Sequence, residues 1–161
     1  MARVLIVGCG CRGRALAGAL AAEGLAVRGT TRRPELADEL TAAGVEPAVA
    51  DPQRLATLVP HLAGVSAVCW LLGSASGPGV ADLHGARLET LLAYIVDTPV
   101  RGLAYEAAGS VPEALLAGGE GLVRAAGERW RLPVAVVHDD PSAHARWLEG
   151  MTRAVGGLLN T

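Results

Sequence analysis

The chain has 161 residues, of which 51% are hydrophobic, and a formal net charge of -2. That length suits one domain, residues 1–161, with a real core, and the balanced charge gives nucleic acid no electrostatic reason to bind. No apolar run reaches the roughly 18 residues of a membrane span, and the first residues enter a strand instead of a signal peptide, so no membrane and a cytoplasmic location are expected.

The first element, Arg3 to Val7, is a short apolar run of the kind buried on both faces of a parallel sheet. Gly8, Cys9, Gly10, Cys11, Arg12 and Gly13 follow without a gap, and Arg12 to Glu23 forms a helix ended by Gly24. This is GxGxxG between a strand and a helix. Gly8 allows the tight turn, Gly10 lets backbone approach a pyrophosphate, and Gly13 lets the helix pack closely on the strand. The free amides at the start of the new helix, including those of Cys11 and Arg12, face an anion. The pattern predicts dinucleotide binding.

Strands follow at Ala26 to Thr30, Glu46 to Ala50, Ser66 to Leu72, Arg101 to Ala107 and Pro133 to Val137. Helices are expected at Pro34 to Ala43, Gln53 to Leu62, Val80 to Val96, Glu113 to Arg131 and Ser142 to Leu159, with a Gly/Ser-rich loop from Gly73 to Gly79. Such alternation requires parallel strands joined by right-handed crossovers. It predicts a doubly wound α/β fold, a six-stranded Rossmann sheet of order 3-2-1-4-5-6 with helices on both faces.

An NAD site places a carboxylate about 20 residues beyond the glycine loop, to bind the ribose hydroxyls. Here no carboxylate stands between Glu23 and Glu35, and the second strand runs out through Thr30-Thr31-Arg32-Arg33. Thr31, Arg32 and Arg33 offer the hydroxyl and guanidinium donors that a 2′-phosphate needs, so NADP(H) is expected over NAD. Asp51 ends strand three where it can meet the adenine edge or cap the next helix. Leu72, Gly73 and Ser74 leave strand four at the switch point and should border the nicotinamide side.

Three cysteines, Cys9, Cys11 and Cys69, make a disulfide framework improbable, and no Cys/His set completes a metal site. All 14 basic residues are arginine, so no mechanism here can use a catalytic lysine.

With its loop Gly8-Cys9-Gly10-Cys11-Arg12-Gly13, the Thr30-Thr31-Arg32-Arg33 turn, Asp51 and the strand-five exit Tyr105-Glu-Ala-Ala-Gly-Ser-Val111, the chain resembles the atypical and extended short-chain dehydrogenase/reductases. That group includes the NAD-dependent epimerase-like and NmrA-like NADP-binding proteins. The resemblance implies a catalytic Ser or Thr at the strand-five exit, which would fall on Ser110. The family's Tyr-x-x-x-Lys pair is missing, since neither Tyr94 nor Tyr105 has a lysine to work with. The resemblance also implies a homodimer through the helices beginning at Val80 and Glu113, which carry Leu83, Leu88, Leu91, Leu92, Leu115, Leu116, Leu122 and Val123.

Other groups stand at the carboxyl ends of the strands: Glu106 with Ser110 after strand five, and His138 with Asp139 and Asp140 after strand six. His138 could donate a proton, because imidazole titrates near neutral pH. His61, His84 and His144 read as surface or interface residues. Trp130 and Trp147 read as structural.

Three functions remain open at this level. The first is an NADP(H)-binding, short-chain-dehydrogenase-like protein, as an oxidoreductase moving hydride to or from a small carbonyl or alcohol substrate, with Ser110, Glu106 or His138 replacing the missing pair. The second is a non-catalytic NADP(H) sensor or regulatory subunit. The third rests on the first 52 residues, which also resemble the nucleotide-binding domain of potassium-transport regulators, a family with an acidic residue after strand two.

Overall fold

In a computed structural model, which describes residues 1–160, six parallel strands form one sheet in the order β3-β2-β1-β4-β5-β6. The strands are β1 Arg3–Val7, β2 Ala26–Thr31, β3 Glu46–Val49, β4 Ala67–Trp70, β5 Gly102–Glu106 and β6 Val134–Val137. The helices are α1 Cys11–Ala22, α2 Ala37–Ala42, α3 Val80–Leu83, α4 Ala86–Ile95, α5 Glu113–Trp130 and α6 His144–Leu159. β1 sits between β2 and β4, with Leu5 opposite both Arg28 and Val68. The expected sheet and strand order are therefore found.

Alternate residues of the central strands feed two cores, as a sheet covered on both faces requires. Val4, Ile6, Cys69 and Ala104 pack against Leu16 and Leu20 of α1 and Trp147, Met151 and Val155 of α6. Leu5, Val7, Val68, Trp70, Leu103 and Tyr105 pack against Leu88, Leu92 and Ile95 of α4 and Val123 of α5. Most of the leucines expected to face a partner copy thus lie in the chain's own core. Leu83, Leu88, Leu91, Leu92 and Leu116 are all buried.

Three helices differ from expectation: Pro34 to Ala43 opens as a 3-10 turn, Pro34–Leu36, before α2, and two others are broken. Gln53 to Leu62 forms two short 3-10 turns, Leu55–Thr57 and Val59–Leu62, because Pro60 has no amide to continue an α-helix and fits only a first turn. Thr57 reinforces the break: its hydroxyl reaches the carbonyls of Asp51 and Arg54. The long helix from Val80 is split between α3 and α4 at His84 and Gly85. His84 is correspondingly not a surface residue; it is 2% exposed, and its ring turns inward to Tyr105.

Candidate functional site

The carboxyl end of β1 delivers the chain into the glycine loop. Gly8 has φ +90°, and a Cβ there would press on the Leu71 carbonyl and the Leu72 side chain. Above Gly10 a Cβ would meet nothing within 4 Å, so the backbone is open to a ligand. At Gly13 a Cβ would stand 3.2 Å from Cys9 Sγ and 3.3 Å from the Gly8 carbonyl oxygen, which is the close helix-to-strand packing expected of the third glycine.

Thr30, which sequence reasoning passed over, holds this loop in place. It is 3% exposed; its hydroxyl accepts the Gly8 N–H at 3.0 Å and its carbonyl accepts the Cys9 N–H at 3.1 Å. A hydroxyl at a strand end beside a glycine loop was the only signal available. With those two amides used internally, the first amides of α1, at Cys11, Arg12 and Gly13, are left as donors without partners inside the helix. Such an N-terminus attracts anions through its amides and its dipole.

A cavity of about 390 Å³ opens from this loop. Its walls come from Gly8 and Gly10, from Thr31, Arg32 and Arg33, from Asp51, and from Leu72 and Ser74. Arg12 reaches it as well. Nine of the twelve residues expected to hold a cofactor therefore share one cavity, while Cys11, Gly13 and Gly73 stand beside it. Arg32 is exposed and makes no hydrogen bond or ion pair within the described chain. Arg33 pairs with Glu35 at 2.8 Å, and the Thr31 hydroxyl accepts the Arg33 N–H at 3.1 Å. Asp51 Oδ1 accepts the Gln53 N–H at 2.9 Å, so its side chain caps the turn after β3 while facing the cavity. Across the mouth, the Gln53 amide donates to the Gly79 carbonyl at 2.7 Å.

The residues expected to carry chemistry lie elsewhere. Glu106 is fully buried, and its carboxylate accepts from Arg12 Nη1 at 2.9 Å, Arg12 Nη2 at 3.3 Å, the Gly73 amide at 2.9 Å and the Trp147 indole at 2.7 Å. Burial holds this carboxyl above the usual range, against the weaker opposing pull of Arg12, the Gly73 amide and Trp147. His138 is exposed and bonds Glu120 of α5 at 2.6 Å. Ser110 is exposed, and its amide donates to Ser74 Oγ at 3.3 Å. Neither Ser110, Glu106 nor His138 lines the cavity.

A second buried pair stands behind the cavity wall. His84 Nε2 lies 2.9 Å from the Leu72 carbonyl and Nδ1 lies 2.6 Å from the Tyr105 hydroxyl. A carbonyl only accepts, so Nε2 carries the proton, and in the neutral ring that burial favours Nδ1 accepts from the Tyr105 hydroxyl. Burial holds His84 below its ordinary pKa and Tyr105 above its own. The described residues include no group of three or more His, Cys, Asp or Glu able to hold a metal ion, and no helix among them is long and apolar enough to cross a membrane.

No protein-family model matches the sequence, and no curated protein matches it. Solved structures do match in shape. A protein described as an NAD-dependent epimerase/dehydratase from Bacillus halodurans aligns with TM-score 0.72 and 19% identity, over 87% of this chain and 71% of its own. Vestitone reductase from alfalfa (Medicago sativa) aligns with TM-score 0.65 and 16% identity, over 84% of this chain and 56% of its own. A short-chain dehydrogenase from Streptomyces avermitilis aligns with TM-score 0.61 and 22% identity, over 84% and 63%. The likeness establishes the fold, a Rossmann unit like those in epimerase/dehydratases and short-chain dehydrogenases. This chain spans less than two thirds of the length of two of the three.

Proposed function

We propose that this protein binds NADP(H) and acts through that binding, as a sensor or regulatory subunit. The observation that carries the reading is one cavity lined both by the glycine loop and Arg12 at the start of α1 and by an unpaired Arg32 after β2. Those two groups suit a pyrophosphate and a 2′-phosphate. Gly8, Gly10, Cys11, Arg12 and Gly13 would hold the pyrophosphate, Thr31, Arg32 and Arg33 the 2′-phosphate, and Asp51 the adenine edge. The bound nicotinamide would itself supply any hydride chemistry. A solved structure of this shape that is described as an NAD-dependent epimerase/dehydratase supports a dinucleotide.

Calorimetry with NADP, NADPH, NAD and ATP tests the reading. A charge-assisted bond contributes about 1.5–3 kcal/mol, so NADP should bind on the order of 10- to 100-fold tighter than NAD. Arg32→Ala should abolish that preference and leave NAD affinity unchanged. A preference for NAD or ATP, or no effect of Arg32→Ala, would overturn it. NAD or ATP preference would instead favour the potassium-transport type of regulator, although Arg32 and Arg33 stand where that family carries an acid.

The second reading is an oxidoreductase acting on a small carbonyl or alcohol. It is favoured by the exposed Ser110 at the exit of β5 and by the reductase-like fold. NADPH consumption over a panel of carbonyl compounds, lost in Ser110→Ala, would establish it. A homodimer and a cytoplasmic site belong to the same proposal. The three free thiols suit a reducing compartment, and sedimentation at the monomer mass of 16.4 kDa would exclude the dimer.

A further inference from the structure

A dinucleotide bound at a switch point lies across the crevice where the strand order reverses, here between β1 and β4. The two sides of this crevice are built differently. Between the ends of β2 and β3 and the near face of the loop leaving β4 lies the cavity, and at about 390 Å³ it stands near the lower end of the roughly 300–1,000 Å³ usual for small-ligand sites.

Toward β5 the far face of that loop packs against protein. The loop leaving β4 and the loop leaving β5 touch backbone to backbone. A Cβ at Gly73 would run into the Ala108 carbonyl, and one at Gly109, where φ is +141°, into the Gly73 carbonyl. The Val111 N–H donates to the Gly73 carbonyl at 3.0 Å, and the Ser110 N–H to Ser74 Oγ. Beneath them the Arg12 guanidinium crosses from α1 to Glu106 and lies 5.3 Å from the centre of the Trp147 ring. Every oxygen and amide that could greet a nicotinamide carboxamide at Gly73 and Glu106 already has a protein partner.

We infer that the site grips its ligand by the 2′-phosphoadenosine diphosphate half alone and leaves the nicotinamide riboside in solvent. This rests on the NADP(H) reading and narrows it. The ligand class becomes any 2′-phosphorylated ADP-ribose, oxidised, reduced or without its nicotinamide. A sensor built this way reports the total pool of such nucleotides, because the ring that carries the redox state touches nothing.

Calorimetry on the intact protein with NADP, NADPH, 2′-phospho-ADP-ribose and ADP-ribose tests this, with NADPH fluorescence as a second readout. The first three should agree within fivefold, ADP-ribose should bind at least tenfold more weakly, and NADPH emission should keep the maximum of the free cofactor. NADP or NADPH binding more than fivefold tighter than 2′-phospho-ADP-ribose, or a blue-shifted NADPH emission, would overturn the inference and leave the NADP(H) reading intact. No binding by the phosphorylated compounds, or ADP-ribose binding equally well, would overturn that reading and the inference with it.

Discussion

The two sides of the crevice stand at the same end of one sheet, yet one is a cavity and the other a brace. Around β2 and β3 the wall is made of backbone, an unpaired Arg32 and a half-exposed Asp51, groups that water can satisfy until a ligand replaces it. Around β5 a carboxylate is buried completely, and a buried charge demands partners. Glu106 finds them in Arg12, Trp147 and the Gly73 amide, and so draws α1, α6 and the β4 exit together. Satisfying that charge consumes the donors and the space that a second half of a dinucleotide would use. Arg12 belongs to both sides, since it also lines the cavity, and so does Ser74, whose hydroxyl oxygen accepts the Ser110 N–H.

The largest expected effect follows from that asymmetry. Arg12→Ala leaves Glu106 buried without its cation, and breaking one partner of a buried pair costs about 3–5 kcal/mol. Arg32→Ala removes only an exposed side chain and should change stability by no more than about 0.5 kcal/mol. Urea unfolding of the two variants beside the parent measures both. Equal losses would mean that the β5 side is no more braced than the cavity side, and the contrast would fall.

A smaller effect sharpens the boundary between the sides. His84 ties the Leu72 carbonyl, on the cavity wall, to Tyr105 of β5, and its burial favours the neutral ring. Its folded pKa is lowered, so below the ordinary value near 6.5 the unfolded chain binds a proton that the native chain refuses. Stability should therefore fall as pH drops from about 6.5, by at most about 1.4 kcal/mol per pH unit, and stop falling once the folded value is passed. His84→Gln should flatten the profile between pH 7 and 5. An unchanged profile would show that this histidine is not held neutral.

The contrast also explains what could be read from the sequence. The cavity side is built from consecutive residues: Gly8 to Gly13 in one turn, Thr31 to Arg33 in another. Local pattern alone placed them together. All six strands and their order were legible for a similar reason, since alternating strands and helices leave few ways to wind. The brace was not legible, because Glu106 meets Arg12 across 94 positions and Trp147 across 41. A carboxylate at a strand end reads as a proton carrier until its neighbours are known. His84 misled in the same way: its spacing looks helical, and only Tyr105, 21 residues on, explains why the ring turns in and the helix breaks. Pro60, by contrast, needed no distant partner to be read: its missing amide was reason enough for 3-10 turns, although the expected helix Gln53 to Leu62 ran through it.

The smallest effect concerns the floor of the cavity side, which must be rigid if the cavity is a built site. Cys9 is 7% exposed, with its sulfur pressed against the spaces above Gly13 and Gly29; burial pushes its thiol up to about 11. Cys69 is fully buried in β4, and its thiol is pushed up to about 12. Neither offers thiolate or access at pH 8. Cys11 is exposed at the first turn of α1, its sulfur 3.1 Å from Arg14 Nη2. An aromatic disulfide reagent should therefore label one thiol in the native protein and three after denaturation. Rapid labelling of a second native thiol would mean that the glycine loop lifts off β2, since Cys9 becomes accessible only when Thr30 releases the Gly8 and Cys9 amides. The open side would then owe its cavity to mobility and not to a fixed floor. Retention of a single reactive thiol, slowed by added NADP, would place the ligand over the start of α1 and keep the two sides distinct.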